Sequence, residues 1–199
     1  MNYLAHAFLA QSDPELVIGG FLGDFVKGAI AQLYTPTIRQ GIELHRHIDS
    51  YTDQHELVRA SKQLFSAQRR RFAGIMLDVF YDHLLAKHWN QYSTIPLRQF
   101  AQQVYHILQK HETILPDRLQ RMLPYMVEQD WLSSYQQLDS IGKTLNRISQ
   151  RLKCRNTLVN SLEELEQHYL ELEQHFLMFF PELMTFTETH PSRQVCQLD

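Results

Sequence analysis

Glycine and proline are scarce, with seven of each among 199 residues, below ordinary usage. Without turn material a chain cannot make many short strands and tight hairpins, so an all-α fold is expected. Cysteine is scarcer still: only Cys154 and Cys196. That excludes a disulfide framework and any CxxC metal pair, and a reducing compartment is expected. No segment approaches the roughly 18 apolar residues needed to cross a bilayer. The opening Met1-Asn2-Tyr3-Leu4-Ala5-His6-Ala7-Phe8 has neither a basic n-region nor a long apolar h-region, so a soluble, cytoplasmic protein without a membrane partner is expected. Neither charge sign dominates. Nineteen basic against 22 acidic residues leave a net −3, which excludes a polycation built to coat nucleic acid. Also absent are GxGxxG, GxxxxGK[ST], GxSxG and the paired Glu-x-x-His of di-iron bundles, and with them dinucleotide, P-loop, serine-hydrolase and di-iron chemistry.

What remains is an ordinary globular mixture, 44% hydrophobic and 21% charged. No Gly/Ser linker, low-complexity block or long charge run divides it. Residues 1–186 therefore read as one helical domain, followed by a polar, poorly ordered tail over 187–199. Punctuation falls near Asp13-Pro14, Thr35-Pro36, Ser93 to Pro96, Leu115-Pro116, Pro124 and Pro181. Thr35 before Pro36 predicts a capped helix running through Ile38, Ile42, His45, Ile48 and Asp49 toward Asp53. Further helices are expected over 72–89, 97–111, 118–129, 131–138 and 141–153. Leu158, Leu162, Leu165, Tyr169, Leu172, Phe176 and Phe179 recur at steps of four and three. They predict one long amphipathic C-terminal helix with a heptad-like seam. Glu and His flank that seam in the repeated Leu-Glu-Gln-His of 165–168 and 172–175, where the expected role is structural.

Histidine and aspartate concentrate in the first half. Six of the eleven histidines (His6, His45, His47, His55, His83, His88) lie within residues 1–88, together with Asp24, Asp49, Asp53, Asp78 and Asp82. His45 and Asp49 stand four apart, as do Asp78 and Asp82, so each pair shares one helix face. Both pairs sit in apolar runs, where carboxylates are costly to bury unless paired, hydrogen-bonded or bound to a cation. Mixed imidazole and carboxylate donors suit manganese, iron or zinc, and carboxylate-rich sets lean toward manganese or magnesium. Asp24 follows Gly19, Gly20 and Gly23; these glycines are expected to allow close backbone packing around it. Metal-assisted hydrolysis is the chemistry left standing.

Four motifs in register resemble the bacterial acyl carrier protein phosphodiesterases. They are Met1 to His6, Gly23-Asp24-Phe25-Val26-Lys27-Gly28, Gly41 to Asp49 with Thr52-Asp53, and Leu77 to His83 with His88-Trp89. The order holds down to Phe179-Phe180-Pro181. The resemblance implies an HD-like helical phosphodiesterase, favouring Mn2+ with Mg2+ or Fe2+ as alternatives. Its reaction would release 4′-phosphopantetheine from holo-acyl carrier protein. One departure stands out: no His-Asp dipeptide occurs, only the reversed Asp82-His83, so the usual HD ligand set cannot be copied across. On this resemblance His6, Asp24, His45 and Asp82 are the expected metal ligands. Asp49 or Asp78 is expected to orient or deprotonate water, and His83 to protonate the departing serine oxygen. Lys27 and Arg46 are expected at the phosphate.

An acidic carrier protein calls for a basic patch. Arg69-Arg70-Arg71 is the preferred one, being near the start of the helix that carries Asp78. The alternative is the stripe of Lys143, Arg147, Arg151 and Arg155. Two other readings stay open: a helical phosphohydrolase of nucleotides or other small phosphoesters, and a non-catalytic binder of an acidic protein.

Overall fold

Four of the six predicted breaks become helix starts. The computed structural model describes residues 1–29 and 34–189. After a first helix α1 (Tyr3–Leu9), Asp13 accepts hydrogen bonds from the Glu15 and Leu16 amides and opens α2 (Pro14–Leu22). Thr35 caps the Ile38 amide at 3.2 Å and opens α3 (Pro36–Gln54), with Pro36 at its first position as the dipeptide predicted. Next come α4 (Glu56–Leu64), a short 3-10 turn over Arg70–Phe72 and α5 (Ala73–Lys87). The chain continues through α6 (Trp89–Tyr92), α7 (Leu97–Lys110), α8 (Asp117–Glu128), α9 (Trp131–Ser134) and α10 (Leu138–Arg151). It closes with α11 (Leu162–Gln167) and α12 (Tyr169–Thr189). The described residues form an all-α single domain without strands.

α5 is the central helix. Eleven of its residues are buried, on every face, which is how a helix surrounded by others must read. It packs against α1, α4, α10 and α12. Phe176, Phe179 and Phe180 of α12 enter the same core as Tyr81, Phe8 and Trp89. Each such side chain contributes about 1.5–3 kcal/mol by leaving water.

Three details depart from the sequence reading. The C-terminal seam does not lie on one unbroken helix: the backbone opens at His168, and Leu158 precedes α11. Its core side chains Leu158, Leu165, Leu172, Phe176 and Phe179 are nevertheless buried, because burial follows the apolar spacing more closely than the hydrogen-bond ladder. Pro124 and Pro181 fall inside α8 and α12, on exposed positions. Finally α12 extends to Thr189, with Thr187 buried and its hydroxyl donating to the Met184 carbonyl; the expected tail from 190 onward lies outside the described residues. The flanking Glu and His of the second Leu-Glu-Gln-His repeat act as ties between helices. Glu173 meets Lys87 and His88, each at 2.7 Å, and His175 lies 2.9 Å from Ser61.

A candidate metal centre and the cleft beside it

The site begins where α2 crosses α3. A Cβ on Gly19 would run into the Ile38 carbonyl and Gly41, and one on Gly41 would fall 2.5 Å from the Leu16 carbonyl oxygen. Only glycines let the two backbones meet this closely. One turn on, a Cβ at Gly23 would fall inside the His45 ring. The glycines around Asp24 therefore do what their spacing predicted, and Gly23 makes room for an imidazole.

Three side chains converge there. His45 Nε2 lies 3.2 Å from Asp49 Oδ2, one turn along α3, and His6 Nε2 of α1 lies 3.1 Å from Asp49 Oδ1. The two rings stack at 3.7 Å. His45 Nδ1 donates to the Gly20 carbonyl at 2.7 Å, which leaves Nε2 pointing at the carboxylate. With Nε2 unprotonated, two acceptors face each other there and repel unless a cation lies between them. His6 is more exposed to the same problem: it is 1% solvent-accessible, and neither ring nitrogen has a hydrogen-bond partner. Buried polar atoms without partners are rare and call for an explanation. His6, His45 and Asp49 form a possible metal site, their donor atoms within 4.8 Å of one another. Two imidazoles and a carboxylate fit a divalent cation, and the orphaned His6 nitrogens are what such an ion would satisfy.

Electrostatics agree. Burial, then the neighbouring His45, push His6 down to about 3, so it is neutral and able to ligate at pH 7. Burial alone would raise the Asp49 carboxyl, but the His45 and His6 imidazoles beside it and the Met1 ammonium hold it well below the usual range. Asp24, 3.9 Å from His45 Nε2, is pushed up by burial and partly pulled back by His45. A pH dependence follows for the protein in chelator. As pH falls through 6.5, unfolded His6 takes a proton that the folded chain refuses until about 3. The stability involved is therefore present above pH 6.5 and is lost toward pH 3, on the order of a few kcal/mol. In urea melts across that window, His6→Gln should flatten the acid-side slope. An unchanged slope would mean that His6 protonates freely in the folded protein.

Asp82 is placed elsewhere. It is wholly buried and accepts from the Leu4 amide at 2.8 Å and the Ala5 amide at 3.1 Å, holding the N-terminus of α1. Burial raises its carboxyl to about 7 against the pull of those amides. Asp82→Asn retains one acceptor and turns an NH2 toward the other amide. It should cost about 1–3 kcal/mol in thermal unfolding, and would loosen the helix that carries His6. Asp78 lies 2.7 Å from the Met1 amino group, which is also 3.5 Å from Asp49. His83 has both nitrogens engaged, Nδ1 by the Tyr135 carbonyl at 2.8 Å and Nε2 by the Tyr169 hydroxyl at 2.9 Å. Asp53 pairs with Lys62 at 2.7 Å.

Most of the predicted cations are engaged as well. Arg46 donates to the Val26 and Gly28 carbonyls, each at 2.9 Å, and so holds the loop that bears Asp24; Lys27 is exposed on that loop. Arg69 pairs with Glu164 at 3.0 Å and donates to the Thr157 carbonyl. Arg70 donates to the Phe65 carbonyl, while Arg71 is exposed over the Phe72 ring.

Beside the cluster opens a cleft of about 310 Å3, with Asp24 in its wall. Asn2, Tyr3, Phe25, Trp131 and Tyr135 line one part of it, and Ile148 of α10 and Leu152 just past that helix another. Thr144, Arg118, Arg147 and Arg151 complete the wall. The last two belong to the stripe whose four-residue spacing was visible in the sequence. Arg118 and the aromatic floor had no local signal, since they come together only when α8, α9 and α10 pack.

A family model described as acyl carrier protein phosphodiesterase matches residues 1–183. A protein named acyl carrier protein phosphodiesterase from Serratia proteamaculans (strain 568) is 38% identical over 185 residues, covering 92% of this chain and 96% of that relative. A relative of the same name from Pectobacterium atrosepticum is 35% identical over 190 residues, covering 95% and 98%. Another from Escherichia coli O157:H7 is 37% identical over 188 residues, covering 92% and 96%. No solved structure matches the chain.

Proposed function

The chain belongs to the acyl carrier protein phosphodiesterase family, and from that premise we propose how it acts: it hydrolyses the phosphodiester of holo-acyl carrier protein at the His6–His45–Asp49 cluster. The products are 4′-phosphopantetheine and apo-acyl carrier protein. The observation that carries the reading is the pair of imidazole Nε2 atoms facing one carboxylate, with both His6 nitrogens unpartnered.

In this reading His6, His45 and Asp49 hold the metal, with Gly20 fixing the His45 tautomer. A divalent cation held there would supply Lewis-acid polarisation of the phosphodiester and lower the pKa of bound water. The donor set favours Mn2+ or Fe2+ over Mg2+, because imidazole is a poor ligand for Mg2+, and Mn2+ is the proposed ion. Asp24 stands between cluster and cleft, 44% exposed and 3.9 Å from His45 Nε2, where a carboxylate can accept the proton of the attacking water. Arg46 keeps the Asp24 loop in place, and Asp82 keeps α1 and hence His6 in place. His83 has no free nitrogen from which to protonate the serine oxygen; solvent at the open cleft takes that role. No helix among the described residues is long and apolar enough to cross a membrane, and a cytoplasmic setting belongs to the proposal.

The test is to incubate the protein with holo-acyl carrier protein, with Mn2+ or with chelator, and follow the carrier's intact mass. Metal-dependent loss of the phosphopantetheine mass is expected. Turnover of generic phosphodiesters without that loss would favour a small-molecule phosphohydrolase. Bound metal with no turnover at all would favour a binding protein.

A further inference from the structure

The cleft beside the cluster has a charge distribution that the fold itself does not use. Arg118 lies 5.5 Å over the Phe25 ring and Arg147 5.3 Å over the Trp131 ring. Arg147 also donates to Gln129 Oε1, and Arg151 Nε to the Arg147 carbonyl. Among the described residues none of the three has a carboxylate within 4.0 Å. Arg69, by contrast, is neutralised by Glu164. Three guanidinium groups in one cleft, opposite a single carboxylate (Asp24), make a local excess of positive charge on a chain of net charge −3. Planar guanidinium held over an aromatic ring is pre-organised for phosphate oxygens.

The remainder of the cleft is of another character. Tyr3, Trp131, Tyr135, Ile148 and Leu152 are half-buried or buried and mostly apolar, with the Asn2 amide among them. At about 310 Å3 the cleft is at the small end of the ~300–1,000 Å3 usual for ligand sites. It suits one slender chain rather than a bulky dinucleotide. The ligand it fits carries an anionic group beside an uncharged, extended portion.

We propose that this cleft is the seat of the phosphopantetheine arm, with Arg118, Arg147 and Arg151 holding its phosphate and the Tyr3–Trp131–Ile148 floor holding its neutral chain. The assignment rests on the function proposed above, since it takes the arm as ligand, but it adds residues that lie outside the His–Asp cluster. It also makes α10 a determinant of specificity. The arginines read the anion, and the floor distinguishes a pantetheine chain from inorganic phosphate.

Calorimetric titration of the full chain in chelator tests it without recourse to turnover. The probes are 4′-phosphopantetheine, pantetheine and inorganic phosphate. The double variant Arg147→Gln/Arg151→Gln, exposed on α10, should bind 4′-phosphopantetheine about 10–100-fold more weakly, two charge-assisted contacts having been lost. Its weak affinity for pantetheine should not move. Ile148→Ala should weaken both organic probes and leave phosphate unaffected. The double variant Arg98→Gln/Lys110→Gln on α7 makes the same charge change away from the cleft and should alter nothing. Parent-like affinity of the double variant for 4′-phosphopantetheine overturns the proposal, and so does an absence of saturable binding by the parent protein. If the variants leave that affinity intact but raise KM for the carrier protein in a salt-dependent way, the arginines meet carrier carboxylates and the arm assignment is wrong. Failure of the activity reading looks different: the cleft would bind the arm as described, yet no carrier would lose it.

Discussion

Asp49→Asn is expected to slow release of the arm from holo-acyl carrier protein by at least about 10²–10³-fold. That exceeds the ~10–100-fold usual for losing a group that only orients a metal ligand. The reason is the position of Asp49. Among the described residues it is the one carboxylate within reach of both imidazoles, at 3.1 Å from His6 and 3.2 Å from His45, and its carboxyl is held well below the usual range. Asparagine keeps the shape but removes the charge that would bind a cation, and its amide gives one imidazole a donor. Folding in chelator should therefore survive, while metal affinity and turnover fall together. Calorimetric metal titration beside the mass assay reads both. A variant that turns over within tenfold of the parent would mean the chemistry lies elsewhere.

Gly23→Ala should be almost as damaging, though it changes neither charge nor metal donors. Gly23 has ordinary right-handed helical angles, φ −52° and ψ −37°, so alanine carries no backbone strain. The added methyl nevertheless falls where the His45 ring stands. His45 cannot retreat without giving up its bond to the Gly20 carbonyl or its stacking on His6. A shift of about 1 Å in a catalytic group costs on the order of 10²-fold, and that loss is expected in kcat. The chelated protein should melt slightly below the parent. If Gly23→Ala keeps parent activity, the His45 ring moves freely and does not need the fixed position described here.

The two variants bear on how much of the site was legible beforehand. His45 and Asp49 could be paired from their spacing alone, because residues four apart on a helix share a face. Asp24 and His6 could be suspected only from the general density of such residues and from resemblance. Asp78 and Asp82 show where local spacing misleads: the same four-residue step puts Asp82 under the N-terminus of α1 and Asp78 against the Met1 amino group. A buried carboxylate has several ways to be satisfied, by a cation, by an amine or by two backbone amides. Which one applies depends on the element packed opposite. The arginines make the same point. The triplet at 69–71 is more conspicuous in the sequence than Arg118, yet Arg69 and Arg70 are occupied by Glu164 and main-chain carbonyls, while Arg118 faces the cleft.

Apolar period, caps and the scarcity of glycine and proline were enough to determine an all-α chain, the start of α3, and the seam that buries α12. Those signals act over a turn or two of helix, so they can be read from the residues that produce them. The His6–His45 stack, the place Gly23 leaves for a ring and the cleft between α8, α9 and α10 were decided only by tertiary structure. Each joins residues tens of positions apart, and its energy exists only after the helices have packed.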